Sequence, residues 1–214
     1  MDFLAISVTE ASFDFLKKGG VFMYPLTACS VIGLTAIFFK AMTLARSRIV
    51  PEALCTQLED PTSTPSPAIL SQVKIGASSL ARLCGVAIGQ QGKSISEISR
   101  SVQASAREEI IRMHSGIGVL DVVITVAPLL GLLGTASGLV TIFQGLGETT
   151  DHLAIARGIA EALNTTIFGL AIAVPCVIAH SYFTSRIERL TARLEFIMTG
   201  FVSTCAEPPK PEIA

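Results

Sequence analysis

The sequence predicts an all-α integral membrane protein with three transmembrane helices, on the evidence of its composition and of the spacing of its apolar residues. Of the 214 residues, 50% are apolar and only 15% are charged, with a formal net charge of -1, whereas a soluble domain carries roughly 25% charged residues. Uncharged apolar runs occupy residues 21–39, 122–147 and 162–185. Each is close to the roughly 20 residues with which a helix crosses about 30 Å of hydrocarbon, and none alternates like a barrel strand.

Composition also excludes several classes of function. A disordered chain needs low hydrophobicity and high net charge, and a nucleic-acid binder needs a basic excess that a pI near 6.3 does not offer. The five cysteines have no C-x-x-C spacing and the three histidines are scattered, so neither a disulfide framework nor a metal site is predicted. Because no phosphate-binding loop or catalytic constellation occurs, we predict a protein that is not an enzyme and has no cofactor.

The residues before the first run have a weaker pattern. Apolar side chains recur there at helical spacing, which is typical of a short amphipathic helix on a membrane surface: Leu4, Val8, Ala11 and Phe15. Acidic residues stand where a cleavable signal peptide is basic, so no such peptide is predicted. A poorly ordered N-terminus with chance periodicity stays open as the alternative.

Basic residues predict the orientation of the chain. Residues 40–120 carry nine Lys and Arg, whereas the connection between the second and third runs carries one, Arg157. Basic residues stay on the cytoplasmic side of a membrane. We therefore predict an N-terminus outside, residues 40–120 inside, a short outer hairpin and a C-terminus inside.

The cytoplasmic segments predict long helices without a separate globular core. Three prolines within residues 60–67 stop any helix there. Beyond them, helical spacing of apolar residues runs from Ile95 straight into the second span, and another stripe follows the third span: Ile187, Leu190, Leu194, Ile197 and Phe201. We predict that the second and third spans extend into a cytoplasmic helical bundle, that residues 1–205 form a single membrane-embedded domain, and that residues 206–214 are a disordered tail.

The second span has one face of small and polar residues. At 100° per residue, six of them fall within an arc of about 120°: Gly131, Gly134, Thr135, Gly138, Thr141 and Gly145. Bulky residues such as Leu132, Leu133 and Phe143 fall on the opposite side. Such a small face either packs closely against another membrane helix or leaves room for a further element, and both interpretations stay open from the residues alone.

The third span is entered through an acidic residue, Glu161. An acid at a membrane boundary costs a few kcal/mol unless it faces protein or water. A simple pair with Arg157, four residues earlier, is the alternative to a functional role. Thr165 shares the helical face of Glu161 and Thr166 lies on an adjacent one. Their hydroxyls could relay hydrogen bonds, or bond back to their own helix, which is the commoner arrangement for a threonine in a membrane helix.

Two motifs on the second and third spans resemble the MotA/TolQ/ExbB proton-channel family, on its ExbB/TolQ-like branch. The first is Ala-Pro-Leu-Leu-Gly-Leu-Leu-Gly-Thr at residues 127–135. The second is Gly-Ile-Ala-Glu-Ala-Leu at 158–163, followed by Thr165-Thr166 and by Gly-Leu-Ala-Ile-Ala-Val-Pro at 169–175. The specific match covers roughly residues 115–205, and the earlier part agrees in layout only.

The resemblance implies a proton-channel (stator) subunit in a bacterial inner membrane, forming a homopentamer around a dimer of a single-span partner of the ExbD/TolR type. The translocated ion would be H+, and the work would pass to a TonB- or TolA-type protein for energised outer-membrane transport or envelope maintenance. By motif position, Glu161, Thr135 and Thr166 would form the proton pathway. Four neighbours would line the pore: Gly131, Gly134, Gly138 and Thr165. A non-conducting membrane scaffold is the alternative.

Overall fold

A computed structural model describes residues 20–44, 78–145 and 152–206 of the chain, and all of its regular structure there is helical. Five helices occur in these ranges, with no strand among them: α1 (Met23–Thr43), α2 (Ser79–Gly89), α3 (Ile95–His114), α4 (Ile117–Gly145) and α5 (His152–Ala206). The amphipathic segment predicted before the first span and the proline-rich break at 60–67 lie outside the described residues. So does the tail predicted at 206–214, except that Ala206 is the last residue of α5 and therefore helical.

Three helical stretches are long and apolar enough to cross a membrane: Met23–Thr43, Ile95–Gly145 and Ile155–Ser203. Each contains one of the predicted spans, apart from a few residues at the ends of the first two. The predicted class, an all-α protein with three apolar helices of spanning length, is therefore confirmed. α5 begins ten residues before the third predicted span and continues well beyond it, so a single helix of 55 residues carries both the span and the stripe that follows it.

The structure departs from the sequence prediction between α3 and α4. The apolar spacing predicts an unbroken helix from Ile95 into the second span, but α3 ends at His114 and Gly116 has a φ of 85°. A glycine in the left-handed region commonly ends a helix because it has no Cβ to clash. Buried Lys40 occupies this end, since its ammonium donates to the carbonyls of Met113 and Ser115, the latter at 2.7 Å. Lys40 thus satisfies carbonyls that the end of α3 leaves without helical partners.

The chain divides into two compact units, and α1 and α5 contribute to both. Unit 1 contains the described residues up to Phe39 together with Gly116–Ser181, and unit 2 contains Lys40–Ser115 and the chain from Tyr182 onward. The prediction of a single domain over residues 1–205 stays a prediction.

In unit 1, small residues bring α1, α4 and α5 together. A Cβ added to Gly33 of α1 would lie 2.8 Å from the sulfur of Cys176 and 3.3 Å from a methyl of Val123. Large apolar side chains instead point outward from all three helices: Val31, Phe38, Leu129, Leu132, Leu133, Val140, Phe143, Ile167, Leu170, Val174 and Ile178. Close backbone contact inside and bulky side chains outside are the arrangement expected of helices in lipid.

In unit 2, α2 and α3 pack with the C-terminal part of α5. All five residues of the predicted stripe after the third span are buried: Ile187, Leu190, Leu194, Ile197 and Phe201. Arg82 of α2 reaches the carboxylate of Glu109 on α3 through two hydrogen bonds, of 2.7 and 2.6 Å. Ser94 and Glu97 form a reciprocal capping box that fixes the start of α3.

Candidate functional site

Three threonine hydroxyls meet between α4 and α5 in unit 1. The Oγ1 atoms of Thr135 and Thr166 are in direct hydrogen-bond contact, and Thr135 Oγ1 lies 3.4 Å from Thr165 Oγ1. We call Thr135, Thr165 and Thr166 the hydroxyl cluster. It lies within the apolar part of both helices, with Thr165 buried and the other two half-buried.

Two backbone carbonyls complete the hydroxyl cluster. The carbonyl oxygen of Gly131 lies 3.0–3.1 Å from all three hydroxyl oxygens. The carbonyl oxygen of Ala162 lies 3.2 Å from Thr135 Oγ1 and 2.8 Å from Thr165 Oγ1. Each hydroxyl has one hydrogen to donate and can also accept one. The three hydrogens can therefore be distributed over this group of acceptors in more than one way.

Glycines on α4 let this helix approach α5 closely enough for the threonine hydroxyls to meet. A Cβ on Gly131 would come within 2.8 Å of the Thr165 carbonyl oxygen, and one on Gly134 within 2.8 Å of Thr165 Oγ1. A Cβ on Gly138 would come equally near the side chain of Ala162. Gly169 of α5 meets α4 in the same way, because its Cβ would lie 2.6 Å from the Ala127 carbonyl oxygen.

Four residues that the resemblance assigns to a pore wall are therefore packed inside one chain. Gly131, Gly134 and Gly138 face α5, and Thr165 is only 2% exposed. At these positions the structure agrees with the close-packing interpretation of the small face. The physical reason is that small residues let two consecutive membrane helices of one chain pack closely against each other. Their place in the wall of a pore stays a prediction.

Glu161 lies on α5, near the hydroxyl cluster. It is half-buried and precedes Thr165 by four residues and Thr166 by five, about 6 and 7.5 Å along the helix axis. In the described part of the chain, no ion pair joins Glu161 to Arg157, which is exposed. The structure thus gives no support to the alternative in which Glu161 only pairs with Arg157.

One pair of titratable side chains was missed by the sequence analysis. His180 Nε2 of α5 lies 3.1 Å from Asp121 Oδ1 of α4. The available signal was that Asp121 is the single charged residue in the sequence of α4. A contact between residues 59 positions apart leaves no trace in local periodicity, so the pairing itself was not predictable. In the residues that the structure describes, no group of His, Cys, Asp or Glu could hold a metal ion.

Known proteins are similar to this chain over most of its length. The sequence profile of the MotA/TolQ/ExbB proton channel family matches residues 69–196. An ExbB homolog of Methanothermobacter thermautotrophicus is 30% identical over 186 residues, 86% of this chain and 67% of that protein. The biopolymer transport protein exbB1 of Vibrio cholerae is 29% identical over 82% of this chain and 80% of its own length. The Tol-Pal system protein TolQ of Pseudomonas aeruginosa is 34% identical over 98 residues, 45% of this chain and 42% of that protein. With its two motifs, its three apolar helices and these relatives, the chain belongs to the MotA/TolQ/ExbB proton channel family, on the ExbB/TolQ-like branch.

Proposed function

We propose that this chain is a proton-conducting stator subunit that couples proton motive force to energised outer-membrane transport or envelope maintenance. The family is described as a proton channel family, and the relatives are named for biopolymer transport and for the Tol-Pal system. The proposal includes a homopentamer in a bacterial inner membrane, an ExbD/TolR-like single-span partner dimer, a TonB/TolA-like transducer and H+ as the translocated ion. It includes no catalytic chemistry and no cofactor. The N-terminus would be periplasmic and the C-terminus cytoplasmic.

The observation that carries the proposal is the hydroxyl cluster. Several other threonines bond to the carbonyl four residues back in their own helix, as Thr35, Thr125 and Thr141 do. Thr135 and Thr166 instead bond to each other across two apolar helices and share the Gly131 carbonyl. A hydroxyl that donates and accepts at once can pass a hydrogen bond along a chain of such groups. This property is what a proton path through hydrocarbon needs.

Glu161 supplies the titratable group of this pathway. A carboxylate at the start of an apolar segment is costly unless it faces protein or water, so its presence favours a role in the path of an ion. It lies on α5 within about two turns of the hydroxyl cluster. In the proposal, Glu161 exchanges protons at the outer end and the hydroxyl cluster carries them inward.

Proton flux into vesicles tests the proposal. The chain and its single-span partner would be reconstituted in vesicles of phosphatidylethanolamine and phosphatidylglycerol, a potassium gradient would set the potential, and an internal dye would report pH. Glu161→Gln, Thr135→Val and Thr166→Val should each lower flux by about tenfold or more, since each removes a proton-transfer group. Thr35→Val is the matched control, because Thr35 is exposed and bonds only within α1. Wild-type flux in all three variants would contradict the proposed pathway.

A non-conducting scaffold remains the second candidate function, favoured by the packing of Gly131, Gly134 and Gly138 against α5. In a scaffold, Arg157→Ala and Glu161→Ala should affect assembly to the same extent, and the wild-type chain and both variants should give no more flux than empty vesicles. In a channel, Glu161→Ala should lower flux while the assembly keeps its size on gel filtration. The two readouts separate the candidates.

A further inference from the structure

The pair formed by Asp121 and His180 has no role in the function proposed above. Its two side chains come from different helices of unit 1 and meet at 3.1 Å. His180 lies within the third apolar run, where an ionisable group is rare unless it serves function. The two partners also differ in exposure, since the Asp121 side chain is 63% exposed and the His180 side chain 29%.

The location of the pair relates it to the hydroxyl cluster. Asp121 precedes Thr135 by 14 residues and His180 follows Thr166 by 14 residues, so both lie about 21 Å along their helices from the hydroxyl cluster. Along α5, Glu161 and His180 are 19 residues apart, or about 28 Å. This span is close to the roughly 30 Å thickness of a bilayer's hydrocarbon core. Glu161 and the pair therefore mark the two ends of one apolar segment.

Few charged groups surround the pair within unit 1. α1 packs at this level through Gly33, which contacts Val123 and Cys176, and α1 has no charged or titratable side chain between residues 30 and 39. α4 contributes no charged group besides Asp121. The remaining titratable groups in the described part of unit 1 are Tyr24, Cys29, His152, Arg157, Glu161 and Cys176. Of these, only the thiol of Cys176 lies within one turn of His180 on α5; beyond the boundary of unit 1, Tyr182 follows His180 by two residues on the same helix.

We propose that Asp121 and His180 form a second proton-binding site, at the end of the pathway opposite Glu161, where protons pass between the channel and water. This inference rests on the proposed function and adds an exit to it. When neutral His180 donates its Nε2–H to Asp121, Nδ1 has a free lone pair. A proton taken up at Nδ1 gives an imidazolium whose charge the carboxylate balances. Loss of the Nε2 proton through Asp121 to water leaves the neutral Nδ1–H tautomer. Release of the Nδ1 proton to water and uptake of one from water at Nε2 then return the site to its starting state.

The same vesicle assay tests this site with variants that separate charge from proton exchange. His180→Lys keeps a cation beside Asp121 but one that does not exchange protons readily near neutral pH. His180→Gln removes the charge. We expect both variants to lower proton flux by about tenfold or more, as for loss of a proton-transfer group. The exchanged pair, Asp121→His with His180→Asp, keeps both groups and should recover flux relative to His180→Gln. Glu188→Gln, at an exposed position two turns further along α5, is the matched control.

Asp121→Asn provides a second test of the site, which does not require the His180 variants to assemble. Its amide can still accept a hydrogen bond from His180 but cannot take up the proton. Flux in this variant should fall and should respond less than wild type to the pH on the receiving side.

The results distinguish failure of this inference from failure of the proposed function. Wild-type flux in His180→Lys, or a wild-type pH profile in Asp121→Asn, would overturn the second site. If Thr135→Val and Glu161→Gln still abolished flux, the proposed channel would stand without it. Absence of flux above that of empty vesicles for the wild-type complex would instead refute the channel itself, and this inference with it.

Discussion

At the scale of single residues, the described threonines differ in what their hydroxyls bond to. Several bond back to their own helix, as the physics of an isolated threonine in a membrane helix favours: Thr27, Thr35, Thr125, Thr141 and Thr199. The hydroxyl cluster differs because Gly131, Gly134 and Gly169 let two helices approach until their hydroxyls meet. The functional distinction therefore depends on the neighbours of a threonine more than on the threonine itself.

The ion pair between Arg82 and Glu109 in unit 2 carries a prediction about pH. The Arg82 guanidinium, through its hydrogen bonds, holds the pKa of the Glu109 carboxyl below its usual value. A carboxyl with a lowered folded-state pKa contributes stability above its unfolded pKa, about 4.3, and loses that contribution as pH falls through the folded value. We expect Glu109→Gln to reduce the free energy of unfolding at pH 7 by about 1–2 kcal/mol and to weaken its dependence on pH below about 4.3.

Unfolding of the full chain in detergent micelles, followed by circular dichroism between pH 3 and pH 7, measures this effect. Glu108→Gln is the control, because Glu108 is exposed and pairs only with Arg112 one turn away, at 3.1 Å. Exposed pairs of this kind contribute little. Equal losses of stability in the two variants would show that the bidentate pair at Glu109 contributes no more to the free energy of unfolding than an exposed pair does.

At the scale of helices, glycines decide how α4 and α5 meet. Replacing Gly131 with alanine would place a Cβ 2.8 Å from a backbone carbonyl oxygen, which has no freedom to rotate away. The helices would have to separate, so we expect Gly131→Ala to destabilise the fold by about 1–3 kcal/mol. The midpoint of unfolding by sodium dodecyl sulfate in mixed micelles measures the change.

Gly118 offers a matched control on the same helix. A Cβ there would meet nothing within 4 Å, and alanine is a better helix former than glycine by about 0.5–1 kcal/mol. Gly118→Ala should therefore leave the unfolding midpoint unchanged or raise it. A fall equal to that of Gly131→Ala would show that close contact with α5 is not the cause.

At the scale of the whole molecule, the features that could be predicted from the sequence are those that depend on composition and on the local spacing of apolar residues. The three apolar runs predicted the spanning helices, and the stripe from Ile187 to Phe201 predicted a buried helical face. The break at Gly116 was not predicted, because the apolar spacing continues on both sides of it. Three contacts could not be predicted because each joins residues distant in sequence: the packing of Gly138 on Ala162, the capping of α3 by Lys40 and the pairing of Asp121 with His180.

The charge distribution predicts the orientation of the whole molecule in its membrane. Arg186, Arg189 and Arg193 follow the third apolar run, whereas Arg157 alone precedes it, so the C-terminal end of α5 should be cytoplasmic. Exposed His152 and Glu188 lie on this helix 36 residues apart, more than the roughly 20 residues with which a helix crosses the hydrocarbon. With the five native cysteines changed to alanine, His152→Cys should react with a membrane-impermeant maleimide in intact spheroplasts. Glu188→Cys should react only after the membrane is disrupted, and the cysteine-free chain should not react. The reverse pattern would place the single-arginine connection inside, which would contradict the orientation and exchange the entry and exit ends of the proposed proton path.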